Sequence, residues 1–535
     1  MKKMILRLLS LFCLLMITNQ LVYSQHPSIN QDAKKLSMAL YAVASLYVDT
    51  VNSEKLTEDA IRGMLEKLDP HSNYLDKEET KELTEPLQGN FDGIGIQFNM
   101  LTDTLYVIQV IPGGPSEKVG LMAGDRIIMV NDTLIAGVKM RTNDIMKRLR
   151  GPKNTEVNVK VLRQGTPDLI GFKIIRGKIP VTSLDASYMA DKTTGYIKLN
   201  RFAATSIEEF REALEKLNKQ GMKNLILDLQ SNGGGYLNAA IDLADEFLSK
   251  DKLIVYTEGN KQRREEATST AKGNFEEGRL VILIDESSAS ASEIVSGAIQ
   301  DWDRGILIGR RSFGKGLVQK PIPMPDGSMI RLTVARYYTP TGRCIQKPYE
   351  SGNKEQYNMD IINRFDHGEL MHADSIHFAD SLKYNTLLNN RIVYGGGGIM
   401  PDIFVPLDTT RTTKYHRELV AKGVIYRTSM NYIDQHRNEL KKAYPTIEKF
   451  KSKFSVNTEI LDNLRKLAEE EKIEFDEGQF NLSKSLIMLQ LKALIARDLF
   501  DMNEYFIIIN DINESYQKAL QIINDSKEYN KILEK

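Results

Sequence analysis

The sequence holds two cysteines in 535 residues, Cys13 and Cys344. Cys13 lies in an apolar N-terminal stretch whose removal would leave Cys344 alone, so no disulfide framework is available and stability must come from packing. Charge of one sign is lacking too: Lys+Arg and Asp+Glu are both 71. That balance leaves no polybasic footprint for nucleic acid and no acidic tail. Past the N-terminus there is no apolar run of about 18 residues, which excludes a second membrane-spanning helix. Histidine is absent between His71 and His367. A Ser-His-Asp scheme therefore has no base within that stretch.

What is present starts at the first residue. Met1-Lys-Lys-Met-Ile-Leu-Arg7 supplies a positive segment, Leu8 to Ile17 an apolar core, and Val22-Tyr23-Ser24 before Gln25 a cleavage site. This is the pattern of an export signal over 1–24. Phe12 in front of Cys13 makes a poor lipid-attachment site, so membrane association rests only on an uncleaved signal. At roughly 150 residues per domain the chain predicts three or four domains.

Asp32 to Tyr47 and Thr57 to Leu68 carry apolar residues at three- and four-residue spacing and predict two helices. From about Gly89 the texture changes to short β-type runs separated by Gly- and Asp-rich turns: 95–98, 104–110, 126–130 and 157–162, with one helix over 140–149. Beyond Pro180, strands at 195–199, 224–228, 280–284 and 305–308 alternate with helices at 206–217, 237–248 and 290–301. Such alternation predicts an α/β layer, where ligands sit at strand ends. After about Pro406 the chain is charged and helical, with no strand signal.

Three loops fall at strand ends of that layer. Asn232-Gly-Gly-Gly235 can turn backbone N–H groups toward an anion or oxyanion, or can be a flexible turn. Ser290-Ala-Ser-Glu293 fits a helix capping box, and the same position suits a nucleophile at a strand-to-helix turn. Gly309-Arg-Arg-Ser-Phe-Gly-Lys-Gly316 matches seven positions of a phosphate loop. Yet Gly316 stands where Ser or Thr should hold magnesium, and Pro321, Pro323 and Pro325 forbid the helix that should follow. A lysine between glycines near a serine suggests another use: if burial pushes its pKa toward neutrality, it can act as the base.

The combination resembles the C-terminal processing (tail-specific) peptidases, serine peptidases of the S41 family. The likeness rests on Leu68-Asp-Pro-His-Ser-Asn-Tyr-Leu75, Phe91-Asp-Gly-Ile-Gly-Ile96, Ser288-Ala-Ser-Ala-Ser-Glu-Ile294, Phe313-Gly-Lys-Gly316 with Gln319, and Tyr338-Thr-Pro-Thr-Gly-Arg343. It implies Ser290 as nucleophile, Lys315 as base and Gln319 as the residue that orients the lysine. The family's Asn-Pro-Gly-Gly loop corresponds to Asn232-Gly-Gly-Gly235. Gly235 is favoured over Gly234 as an oxyanion donor, with the N–H of Ala291 as its partner. No metal or organic cofactor is implied.

The β-rich stretch resembles a PDZ domain, a module that captures an extended C-terminal peptide at a sheet edge. Gly93, Ile94, Gly95 and Ile96 match its carboxylate-binding loop, and Ile145 and Leu149 would flank the groove or serve as plain core. The expected architecture is a multidomain α/β protein: signal 1–24, N-terminal helical segment 25–86, inserted PDZ domain 87–178, α/β peptidase core 179–405 and helical C-terminal region 406–535. The expected function is periplasmic cleavage of proteins or peptides with accessible C-termini, with an adaptor or lipoprotein partner left open and no nucleic acid. The alternatives are a non-catalytic PDZ-type protein that holds exported tails and, behind it, nucleotide hydrolysis.

Overall fold

The computed structural model describes residues 27–101 and 103–534. The expected signal over 1–24 lies outside the described residues. Helices Pro27–Leu46 and Ser53–Glu66 open the chain, and Asn52 caps the second by accepting from the Lys55 N–H. β1 (Asn73–Leu75) then leaves this segment and pairs antiparallel with residues 329–331 of the core. The N-terminal segment is thereby stitched to the core by a backbone ladder.

The β-rich module comprises β2 (Asn90–Gly93), β3 (Ile96–Leu101), β4 (Thr104–Val110), β5 (Arg126–Val130), β6 (Thr133–Leu134), β7 (Glu156–Leu162), β8 (Ile170–Ile175) and β9 (Gly177–Pro180). Its sheet runs β3-β4-β5-β7-β8, with β6 on β5 and β3 at one edge. Strand alternation fixes what is buried: Val157, Val159 and Val161 point into the core with Leu105 and Val107, while Glu156, Asn158 and Lys160 face out. Strands β2 and β9 pair where the module leaves and rejoins the chain.

The core continues through β10 (Leu184–Met189), β11 (Thr194–Leu199), β12 (Asn224–Asp228), β13 (Leu253–Gly259), β14 (Gln262–Thr268), β15 (Leu280–Ile284), β16 (Ile306–Gly309), β17 (Leu317–Pro323), β18 (Met329–Tyr338), β19 (Lys383–Asn385), β20 (Ile392–Tyr394) and β21 (Ile403–Phe404). The central sheet has the order β10-β11-β12-β15-β16-β21 and is parallel except for β10. A second sheet, β1-β18-β13-β14 with β17 on β18, is antiparallel.

Both faces of the central sheet are covered, as a parallel sheet requires. Leu280, Ile282 and Ile284 of β15 pack with Phe210, Leu214 and Ile294 on helices of the core and with Phe247 in the turn after one of them. Val281 and Leu283, on the opposite face, pack with Tyr516, Ala519, Ile522, Ile523 and Tyr529 from the end of the chain. Tyr529 also closes onto the β15 backbone: its hydroxyl accepts from Leu280 N–H at 3.1 Å and donates to Leu280 O at 2.9 Å. The last two helices, Glu514–Asn524 and Ser526–Leu533, therefore complete the α/β layer.

In the sequence between the core and these two helices, helices from Lys414 to Leu499 form a body with its own apolar interior. One of these, Val424–Ala443, lies on the outer face of the β-rich module. Met430 packs on Tyr106 and Ile108, Asp434 accepts from the Tyr106 hydroxyl at 3.0 Å and pairs with Arg126, and Tyr426 meets Asn99 of β3. No helix among the described residues is long and apolar enough to cross a membrane.

Candidate active site

Strand β15 ends at Ile284, and the chain turns through residues 285–290 into the helix Ala291–Asp301. Ser290 sits at the turn with φ 57° and ψ −110°, a left-handed conformation that costs a non-glycine residue about 1–3 kcal/mol. Its neighbours hold it there. Ser288 Oγ donates to Leu229 O at 2.8 Å and Ser292 Oγ donates to Asn232 O at 2.8 Å. Ser290 and Glu293 form a capping box, in which the Glu293 carboxylate takes the Ser290 N–H and the Glu293 N–H faces the Ser290 side chain. Of these three serines only Ser290 does not donate its hydroxyl to a carbonyl, and it stands in the positive field of a helix N-terminus.

The glycine loop lies directly against this turn. Asn232 binds it from several sides: its amide donates to Leu199 O at 2.9 Å, its Oδ1 accepts from Gly234 N–H at 2.9 Å, and its carbonyl accepts from Ala289 N–H at 3.0 Å. The Asp285 carboxylate accepts from Ser231 N–H at 2.9 Å and from Ser288 N–H at 3.0 Å. A side chain would not fit here. A Cβ on Gly234 would fall 2.8 Å from Ser290 Cβ, and one on Gly235 would fall 2.1 Å from Phe202 O. The Gly234 N–H is engaged by Asn232, whereas among the described residues the N–H groups of Gly235 and Ala291 have no partner.

Lys315 arrives on the loop between β16 and β17. A single buried carboxylate ties this loop to the serine turn. Glu293 Oε2 accepts from Ser290 N–H at 2.7 Å and from Lys315 N–H at 2.9 Å, while Oε1 accepts from the Ser312 hydroxyl at 2.5 Å and Gly314 N–H at 2.7 Å. Burial pushes the Glu293 carboxyl upward, and these bonds oppose it. The Tyr337 hydroxyl adds a second tie, lying against the carbonyls of Ser290 and Lys315. Sequence reasoning gave Glu293 only the role of a cap. Its four donors come from two loops, and only the folded chain brings them together.

Burial, aided by the Arg331 guanidinium, pushes the Lys315 amine down to about 8 against the opposing pull of Glu293 and Asp69. Among the described residues the Lys315 amine has no hydrogen-bond partner, and Ser290 Oγ donates to none. Catalytic contacts of this kind commonly tighten only when substrate is bound. Gln319 lies on β17, opposite Thr333 of β18; its amide donates to Leu317 O at 3.0 Å and to Thr333 Oγ1 at 3.4 Å, not to Lys315.

The structure also brings in a histidine from outside the α/β layer. His71 stands in the turn before β1, with Nε2 at 2.9 Å from the Tyr357 hydroxyl. Burial and the Lys315 charge push its imidazole down to about 3. A base that weak is a poor acceptor for a serine proton near neutrality, and Lys315 is better matched.

In the β-rich module, Gly93 ends β2, Ile94 is buried, and Gly95 with Ile96 leads into the edge strand β3. Ile145 is 0% and Leu149 3% exposed, both packed in the module's core with Ile94. Gly316 is followed by strand β17. The phosphate-loop reading of 309–316 therefore lacks the helix N-terminus that would hold a phosphate.

Residues 193–353 match peptidase family S41, 93–174 a PDZ domain, 17–79 the N-terminal domain of the activating protease CtpB, and 415–501 a family of unknown function. A carboxy-terminal-processing protease of Bartonella bacilliformis is 37% identical over 309 residues, which cover 57% of this chain and 70% of that relative. The chain belongs to the carboxy-terminal-processing serine protease family. Carboxy-terminal processing proteases CtpB and CtpA of Bacillus subtilis are 35% and 33% identical to it; the matches cover 58% and 67% of this chain and 65% and 75% of theirs. The PDZ domain of this protease is the β-rich module and its peptidase domain the α/β layer.

Proposed function

We propose that the protein is an exported serine endopeptidase that engages the C-terminal tails of protein substrates and cleaves them with a Ser290–Lys315 dyad. What carries the reading is the shared Glu293 carboxylate: one buried group fixes the backbones of a serine whose hydroxyl donates to no neighbour and a lysine whose amine is held near 8. In the neutral form, Lys315 takes the proton of Ser290 Oγ as the oxygen attacks the scissile carbonyl. The N–H groups of Gly235 and Ala291 receive the developing oxyanion; losing one such donor costs about 3 kcal/mol of transition-state stabilisation. The lysine then gives its proton to the leaving amine, and water, activated by the same amine, hydrolyses the acyl-enzyme. Gln319 orients the amine.

In this reading the division into 1–24, 25–86, 87–178, 179–405 and 406–535 separates signal, helical segment, recognition, chemistry and C-terminal support. The PDZ domain captures a tail on β3, with Gly93, Ile94, Gly95 and Ile96 at the terminal carboxylate. Ile145 and Leu149 meet the tail's apolar end once the helix Thr142–Leu149 moves away from the edge strand. The protease then acts in the periplasm on unstructured tails, with or without a delivering adaptor or lipoprotein.

Terminal-peptide mapping of a mixed protein digest tests this. The wild-type protein should generate new C-termini within unstructured tails, and Ser290→Ala should generate none. Digestion by purified Ser290→Ala protein would refute the assignment, and cuts scattered without regard to chain ends would remove tail recognition.

A further inference from the structure

The turn Asp69-Pro-His-Ser72 lies 246 residues before Lys315 in the chain, and the catalytic steps above leave it without a task. Its carboxylate nevertheless reaches the strand next to the lysine. Asp69 Oδ1 accepts from the N–H groups of His71 and Ser72 at 2.9 and 3.0 Å, and Oδ2 accepts from Ser72 Oγ at 2.5 Å. Ser72 Oγ in turn accepts from Thr333 N–H at 3.0 Å. The remaining bond points inward: Thr333 Oγ1 donates to Asp69 Oδ1 at 2.9 Å.

That last bond sets a direction. An ionised carboxylate only accepts, so the single hydroxyl proton of Thr333 is directed to Asp69. Toward Gln319 the Thr333 oxygen can then only accept, and it does so from Nε2 at 3.4 Å. The other amide proton of Gln319 goes to Leu317 O at 3.0 Å. Both donors of the amide being engaged, Oε1 is the end left open, and it has no partner among the described residues. An amide oxygen is the end that can accept from a lysine amine or ammonium. A flipped amide would present two donors to a donor and repel it.

We infer that Asp69 is a positioning residue for the proposed Ser290–Lys315 dyad: through Thr333 it fixes the orientation of the Gln319 amide so that the oxygen faces the catalytic lysine. The inference rests on the dyad reading. Asp69 does not touch the reacting atoms. It works at a distance from substrate, across the junction between the N-terminal segment and the core, where β1 pairs with β18 two residues from Thr333.

Asp69→Asn and Thr333→Val are both isosteric. The first supplies a donor where only acceptors stood and reverses the direction of the chain. The second removes the hydroxyl and keeps a strand-compatible branched side chain. For each, kcat, KM and the pH profile on a tailed protein substrate are measured, with thermal melting as the check on folding. Misorientation of this kind should lower kcat about 10- to 100-fold with KM within about twofold. Thr333→Ser should recover most of what Thr333→Val loses.

The charges facing Lys315 are Arg331 on β18, Glu293 on the helix after Ser290, and Asp69 and His71 from the N-terminal turn. Asp69 favours the ammonium. Removing its charge should therefore move the acid limb of activity to lower pH in Asp69→Asn, while Thr333→Val should leave the limb in place. A purely structural role would change kcat without that difference. Wild-type kcat and pH profile in both folded variants, with Ser290→Ala and Lys315→Ala inactive, would overturn the inference and leave the dyad standing. Activity in Ser290→Ala or Lys315→Ala would overturn the dyad itself. Should Asp69→Asn fail to fold, kcat of Thr333→Val and its recovery in Thr333→Ser decide alone.

Discussion

The candidate catalytic cleft and the C-terminal region are held by different balances of polar and apolar contact. In the cleft, three loops meet through polar groups: Asn232, Asp285 and Glu293 are buried and satisfied by backbone donors from neighbouring turns. The C-terminal region holds to the sheet mainly by apolar area, with Tyr516, Ala519, Ile522 and Ile523 laid over Val281 and Leu283 and the Tyr529 hydroxyl adding two bonds to Leu280. Directional bonds fix atoms to fractions of an ångström, which chemistry requires. Apolar burial contributes free energy in proportion to area and tolerates exchange among residues of similar size. The difference shows why one region carries short motifs and the other none.

The largest effect that would sharpen this contrast is loss of the base. Lys315→Ala should reduce kcat/KM by about 10⁴-fold or more with melting unchanged, since an exchangeable charge leaves a half-buried site. Unfolding of this variant would mean that the cleft is structural rather than chemical. Glu293→Ala should act on both sides of the comparison. It leaves four donors without an acceptor, so stability should fall by about 3 kcal/mol or more and activity with it. A Glu293→Ala protein with normal melting would show that the loops do not depend on this tie.

In the apolar region the effects should be smaller and purely structural. Tyr529→Phe keeps the ring on the sheet and loses two hydrogen bonds to Leu280, so denaturant unfolding should report a loss of about 1 kcal/mol with kcat unchanged. Any fall in kcat would tie the chain's end to the chemistry. The smallest effect belongs to the contact between Asp434 and the PDZ domain. Asp434→Ala should raise amide hydrogen exchange in β4 and β5 and leave turnover of a short tail-less peptide within about twofold. Unchanged exchange would mean that the helix Val424–Ala443 does not steady the module.

The same contrast explains what could be read from the sequence. The strand at 280–284 was legible as an uninterrupted apolar run, which a sheet covered on both faces favours, and those at 195–199 and 224–228 as shorter apolar runs broken by Lys198 or bounded by Asn224 and Asp228. Strand β14, Gln-Arg-Arg-Glu-Glu-Ala-Thr, has no such run, because it lies at a sheet edge with its side chains largely in water. Strand β17 contains Pro321 and Pro323, which an edge strand tolerates. The motifs pointed to Ser290 and Lys315 as candidates, while the engagement of the neighbouring Ser288 and Ser292 hydroxyls with carbonyls emerged only from the fold. Asp69 meets Thr333 of β18 and His71 meets Tyr357 through contacts far apart in sequence, which no local pattern encodes. The C-terminal helices could be predicted as helices, yet the surface they cover depends on the sheet beneath them.

The central claim is that Lys315 works as an uncharged amine. Below its pKa the ammonium has no lone pair for the Ser290 proton, and above it the amine does, so activity must rise with pH. The most direct measurement is kcat/KM against pH, which reports the ionisation in the free enzyme. The account predicts a single rise with a midpoint near 8, followed by a plateau. A profile flat from about pH 6 to 9, or one that falls across that range, would contradict it.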